Sequence, residues 1–424
     1  MKIAILTSGF PPVLDGVSVS GLYRVQKLSQ WGHEVLVCYP DYSPLADLYP
    51  NWSDYVGDIL PGVRVIGLES TPMFGVDFER NVSWKSYPTV VRELEKFQPD
   101  VIHVDEPERL FFGFFRLAGL KYARQNGIPC VSFFRTNFIE YAEDFLPAPP
   151  FMIPTIQKFV GKIFAGIYNA YDRTLVSSRI TADKLRKMGM KNIQYANLLG
   201  FDAGQFNPNL RTEGFFERRY GLSDFDRKVK LIFLGRLTPD KGWAFTLRTF
   251  ERLVKMVDPD RFAVLIAGDG PMRSQIQQQL SQLIPSVHLF GRVPPAEVPA
   301  ILANSDVHVT ASEKEARGLT ILEAFAVGIP AIAPRAGGVV ENIKDGENGY
   351  LYKPQDTEDL AEKLKQLIEN EALRKQMGVS GLRCIDDYSW DQTVKNLVEI
   401  WEAEIANQKQ IHPPTSNLKK IHQN

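Results

Sequence analysis

Strand-like apolar runs alternate with helical patterns from the first residue of this chain, and after a lapse near residue 200 the alternation begins again. Few folds accommodate that order. A strand followed by a helix, repeated, packs as a parallel sheet with helices on both faces. In the first block, residues 2–6, 33–37, 63–66, 101–104, 129–134 and 173–176 read as strands. Residues 16–31, 89–97, 109–126, 155–171 and 181–188 read as helices, the first through Val19, Leu22, Val25 and Leu28. The turn-rich segment 200–208 reads as a hinge. Strands at 230–234, 263–267, 287–290, 307–310 and 330–333 then alternate with helices at 243–256, 272–283, 296–304 and 319–327. The expectation is an α/β protein of two Rossmann-like, doubly wound domains facing each other across a cleft, with ligands at the carboxyl ends of the strands. The domains are expected at 1–208 and 209–388, with a last helix at about 389–406 crossing back to the first. A flexible tail is expected at 407–424.

The bulk composition agrees with a large globular protein. A chain of 424 residues exceeds one ordinary core, which favours two domains. Forty-nine basic residues stand against fifty acidic ones, so net charge offers no argument for nucleic-acid binding. No run of about twenty apolar residues suggests a membrane span, and the amino terminus reads as a buried strand rather than a leader. The expected location is cytoplasmic, with peripheral contact to the cytoplasmic face of a membrane left open. Cys38, Cys130 and Cys384 are far apart and show no CxxC spacing, so they read as structural thiols in a reducing compartment. No sequence cluster suggests a bound metal.

Residues that could carry chemistry gather in the second block. Glu315 and Glu323 flank a turn, Gly318-Leu319-Thr320, that would present free backbone N–H groups at a helix start, where a phosphate can be held. Two solvated acids on an amphipathic helix would look the same. Gly235, Arg236 and Lys241 lie in a loop after a strand, and an Arg fork with a Lys point charge suits a diphosphate. Gly268, in the turn 268–271 (GDGP), and Arg292, beside Gly291, are weaker strand-end features. So are Gly16, at the start of the first helix, and Ala336-Gly337-Gly338.

Taken in order, these motifs resemble those of the retaining, nucleotide-sugar-dependent glycosyltransferases of family 4, which have the GT-B architecture. Gly16 in the first loop and the hinge segment 200–208 join the resemblance, which covers the chain to about residue 405. It implies that Arg236 and Lys241 hold the donor diphosphate and that Glu315 binds the transferred sugar. Backbone at Gly318, Leu319 and Thr320 would complete the phosphate site, Glu323 would bind the ribose, and the loop at Arg292 would border the base. The donor would be a nucleoside diphosphate sugar, uridine favoured over guanosine, with no further cofactor and no metal. Many members carry a sugar-binding histidine in the loop that here follows residues 129–134. This chain has Arg135 and Asn137 there instead, and either would have to take its place.

The acceptor is expected to be a lipid or a glycan. Segments 105–108 and 135–140 resemble those of digalactosyldiacylglycerol synthases, and the general layout is similar to sulfoquinovosyltransferases. Phe111, Phe112, Phe114 and Phe115 lie between Arg109 and Arg116. The apolar stretch 145–153 leads into a helix carrying Lys158 and Lys162, a composition that suits a membrane surface as well as a buried core. A soluble glycan or small-molecule acceptor, and a non-catalytic nucleotide-sugar-binding protein, are the alternatives. A dinucleotide oxidoreductase is disfavoured, because prolines at 11 and 12 interrupt the loop where GxGxxG would stand.

Overall fold

The structure, a computed structural model, describes residues 1–13, 16–73, 76–135, 153–198, 200, 204–315, 318–385 and 388–411. It divides into two compact units, one of residues 1–136, 155–200 and 390–424, the other of residues 137–154 and 201–389.

The first unit carries strands β1 (Lys2–Leu6), β2 (Glu34–Pro40), β3 (Gly57–Leu60), β4 (Val63–Leu68), β5 (Ser70–Met73), β6 (Val76–Val82), β7 (Val101–Asp105), β8 (Cys130–Phe134), β9 (Arg173–Val176) and β10 (Ile193–Tyr195). Eight of them form one sheet in the order β10-β9-β8-β7-β1-β2-β4-β3, parallel except for the edge strand β3, and β5 and β6 pair separately. The inner strands β1, β7 and β8 are nearly continuous apolar runs with almost no exposed residue, as a sheet covered on both faces demands. Chain direction across the sheet reverses between β1 and β7, so a crevice opens at their carboxyl ends.

The second unit repeats the plan with β11 (Val229–Leu234), β12 (Phe262–Ala267), β13 (Val287–Gly291), β14 (Val307–Val309), β15 (Ala331–Pro334) and β16 (Gly349–Tyr352). Its all-parallel order is β13-β12-β11-β14-β15-β16, and the reversal falls between β11 and β14. The two doubly wound α/β sheets expected from the sequence are present.

Three local readings differ. Residues 109–126 do not form one helix. Pro107–Phe114 ends in Phe115 at φ 53°, and Leu120–Asn126 begins after Gly119 at φ 71°. Two left-handed residues cannot sit inside a helix, although the apolar spacing runs through them. The short strands β3, β5 and β10 lack a period long enough to read, and the seven-residue β6, with Asp, Glu, Arg and Asn among its residues, shows no apolar run. Beyond β15 the sequence reading stopped short of β16 and of the helices Thr357–Glu369 and Glu371–Leu382. The last helix, Trp390–Ile411, packs on the first unit: Trp390 stacks on Tyr23 at 5.1 Å, and Trp401 is fully buried. Cys38 and Cys130 are buried core thiols, and burial pushes the Cys38 thiol up to about 12.

Candidate functional site

In the second unit, the loops after β11 and β14 meet where the sheet order reverses. Lys241, from the first loop, places Nζ 2.9 Å from Glu315 Oε2 in the second. Beside Lys241 in the first loop is Asp240, whose side chain is wholly buried. It stands 3.8 Å from Arg236 Nη2 and 4.0 Å from Lys241 Nζ, yet neither of its carboxylate oxygens accepts a hydrogen bond. A buried carboxylate without donors is costly unless cations lie close. Arg236 and Lys241 supply that charge while remaining accessible, Arg236 with about half its side chain exposed. The structure thus brings Arg236 and Lys241 around an acid that sequence reasoning had passed over, and joins Lys241 to Glu315. The signal for Asp240 was its place within the GRLTPDKG segment.

Glycines set this geometry, each in its own way. Gly242 has φ 74°, and a Cβ there would lie 2.3 Å from the Ala311 carbonyl oxygen, so only glycine lets the two loops approach. A Cβ on Gly268 would fall 1.8 Å from the Gly235 carbonyl oxygen, which makes Gly268 a packing glycine rather than a gap for a ligand. Gly235 itself, at φ 138°, faces open space. The ambiguous Gly337-Gly338 turn also acquires a role. The Gly338 N–H donates to the Glu315 carbonyl at 2.8 Å and anchors the backbone that carries the acid.

The helix Leu319–Ala326 begins after Gly318 at φ 73°, which leaves the first N–H groups of Leu319 and Thr320 at an open helix end. His308, on β14, orients Thr320. Its Nδ1 lies 3.2 Å from the Ile232 carbonyl, an atom that can only accept, so Nδ1 carries the proton and Nε2 accepts from the Thr320 hydroxyl at 3.0 Å. Burial holds this imidazole neutral, its pKa down to about 4. One turn on, Glu323 sits half-buried among apolar neighbours, and that burial pushes its carboxyl up to about 7. Arg292 is exposed just beyond β13, where Gly291 bonds to the Gly268 N–H at 2.8 Å.

In the first unit the crevice is lined differently. Ser8, after β1, donates to Glu106, which follows β7 at the unusual φ of 49°. Arg135, after β8, contacts the Ser20 hydroxyl and the Gly16 carbonyl, the latter at 3.4 Å. Gly16 opens the first helix, as expected. Asn137 lies outside the described residues. Among the described residues no cluster of three or more His, Cys, Asp or Glu could hold a metal ion, and no helix is long and apolar enough to cross a membrane.

Two domain families match this chain. Residues 14–195 match Glycosyltransferase Family 4, and residues 218–382 match Glycosyl transferases group 1. The chain joins a family 4 domain to a group 1 domain, both of glycosyltransferases. Its two sheets are those of GT-B structures. A sucrose-phosphate synthase from Thermosynechococcus elongatus superposes with a TM-score of 0.75 at 17% identity, over 96% of this chain and 99% of that one. A GDP-mannose-dependent alpha-mannosyltransferase of Corynebacterium glutamicum is 26% identical over 97% of this chain and 91% of its own. The sulfoquinovosyl transferase of Arabidopsis thaliana is 29% identical over 78% of this glycosyltransferase and 61% of its own length. The alpha-monoglucosyldiacylglycerol synthase of Streptococcus pneumoniae is 24% identical over 83% and 75%.

Proposed function

We propose that this glycosyltransferase moves a sugar, with retention, from a nucleoside diphosphate sugar to a hydroxyl of a membrane lipid such as a diacylglycerol or glycolipid. The observation that carries the donor half is the Lys241–Glu315 pair beside the open helix end at Leu319 and Thr320. A donor diphosphate would draw Lys241 off Glu315 and take the charge of Arg236. Glu315 would then be free to accept hydrogen bonds from the sugar, and Glu323 to meet the ribose. Charge developing on the leaving diphosphate would meet fixed cations and N–H groups, so rate would come from electrostatic stabilisation and positioning. The diphosphate itself would take the acceptor proton on the same face, with no metal required. Arg135 stands in the loop where family members carry a sugar-binding histidine. Relatives whose names state a donor name GDP-mannose, so they do not support the initial preference for uridine.

Lys241→Ala and Glu315→Ala test the donor site. Each should lower kcat/KM for transfer and for donor hydrolysis by about 10²–10³-fold. Undiminished turnover in both would refute the assignment.

The lipid acceptor rests on a relative named for a glucosyldiacylglycerol and on the surface of the first unit. Phe115, Phe159 and Trp84 are more than half exposed there and Phe112 about half, with exposed Arg116, Lys85, Lys158 and Lys162 close by in sequence. Aromatic rings edged by cations suit an anionic bilayer. In flotation, the protein should rise with vesicles containing phosphatidylglycerol. Phe115→Ser with Phe159→Ser should leave it at the bottom. A wild-type protein that never floats would favour the soluble-glycan reading.

A further inference from the structure

Around β7 the first unit buries an ionic chain that no part of the donor site uses. Arg24, on the first helix, pairs with Asp105 at the end of β7, and both side chains are almost wholly buried. A second guanidinium, Arg135, reaches to 3.7 Å of the same carboxylate. On the other side of Asp105, His103 Nε2 lies 3.1 Å from Oδ1, and the Trp401 indole N–H donates to His103 Nδ1 at 3.3 Å. An indole can only donate, so Nδ1 accepts from Trp401, while Nε2 lies against both the Asp105 carboxylate and Arg24 Nη1, the latter at 3.0 Å. The chain of contacts runs from the Trp390–Ile411 helix through His103 and Asp105 to Arg135.

Burying two arginines beside one carboxylate is a poor route to stability, since well-packed apolar side chains commonly do as well. What the arrangement does supply is orientation. The Arg135 side chain is only 10% exposed, lies 5.1 Å over the Phe133 ring, contacts Ser20 and Gly16, and borders a small cavity that Trp390 and Thr393 help to line. Its planar fork is held from several directions while one side remains on the cavity.

We propose that Asp105 is a positioning residue for Arg135, held in turn by Trp401 of the last helix through His103. The proposal rests on the reading of Arg135 as the group that replaces the loop histidine. Arg135→Ala, Asp105→Asn and their double variant separate the two ideas in a transfer assay. Asp105→Asn should lower kcat about ten- to hundredfold with donor KM within about twofold. In the Arg135→Ala background it should cost nothing further, which a merely structural role would not predict. Trp401→Phe, which removes the N–H together with part of the buried ring, should give a smaller kcat loss that likewise vanishes without Arg135, even if Asp105→Asn folds poorly. A wild-type kcat for Trp401→Phe and Asp105→Asn, or losses that multiply with that of Arg135→Ala, would overturn the proposal. Full activity in Arg135→Ala would overturn the reading beneath it as well.

Discussion

Glu108 shows how burial can set the charge of a residue. It lies in the first turn of Pro107–Phe114, almost wholly enclosed, with Tyr168 donating to one oxygen and the other unpartnered. Burial, reinforced by the neighbouring Glu106, pushes its carboxyl up to about 8. The native protein therefore keeps a proton that the unfolded chain releases near pH 4.3. Stability conferred at low pH is lost as pH rises between those values, at up to about 1.4 kcal/mol per pH unit. Glu108→Gln, isosteric with the protonated acid, should remove that slope. Its Tm relative to wild type should climb from pH 5 to pH 8, and a constant difference would show that Glu108 titrates normally. Asp105 is the opposite case. Burial disfavours its charge, but Arg24, Arg135 and His103 outweigh burial and hold the carboxyl well below the usual range. At this scale the sequence displayed Arg236, Lys241, Glu315 and Glu323, because charges in loops after strands and in the first turns of a helix are conspicuous. It concealed Asp240, whose burial no spacing reveals, and His308 and Asp105, most of whose partners lie on other elements.

Elements were legible wherever their period was long. The helices and the inner strands β1, β7, β11 and β12 bury wide apolar faces that repeat often enough to read. The break at Phe115 to Gly119 depends on two dihedrals and the strands β3, β5 and β10 on a few residues each, and nothing periodic announces them. Loop contacts are decided the same way. Replacing Gly242 with Ala adds a methyl 2.3 Å from the Ala311 oxygen at a left-handed φ, and should destabilise the fold by about 3 kcal/mol. Gly235→Ala, with open space around its Cβ, should cost about 1–2 kcal/mol for strain alone. Urea unfolding of the two variants measures the contrast, and equal midpoints would show that the Ala311 contact is soft.

At the scale of the whole molecule, two units with reversal points between β1 and β7 and between β11 and β14 repeat one architecture with different linings. The second unit presents Arg236, Lys241 and an open helix end. The first presents Glu106, Ser8 and Arg135. A thermal-shift series with UDP-glucose, UDP-galactose, UDP-sulfoquinovose and GDP-mannose should show one donor raising Tm in proportion to the logarithm of its concentration over Kd, an effect that Lys241→Ala abolishes. No shift with any of the four would count against a nucleotide-sugar site. The sequence by itself determined the doubly wound plan, because alternating periods of two kinds leave few ways to bury both faces of a sheet. It also suggested the chemical type of the proposed donor site, because cations, acids and glycines occur in order at strand ends. Only the tertiary structure decided which charges meet. Lys241 reaches Glu315, 74 residues away, and Asp105 is held by Arg24 and, through His103, by Trp401. Pairings of that kind follow from strand order, which brings distant loops together and leaves no trace in local spacing.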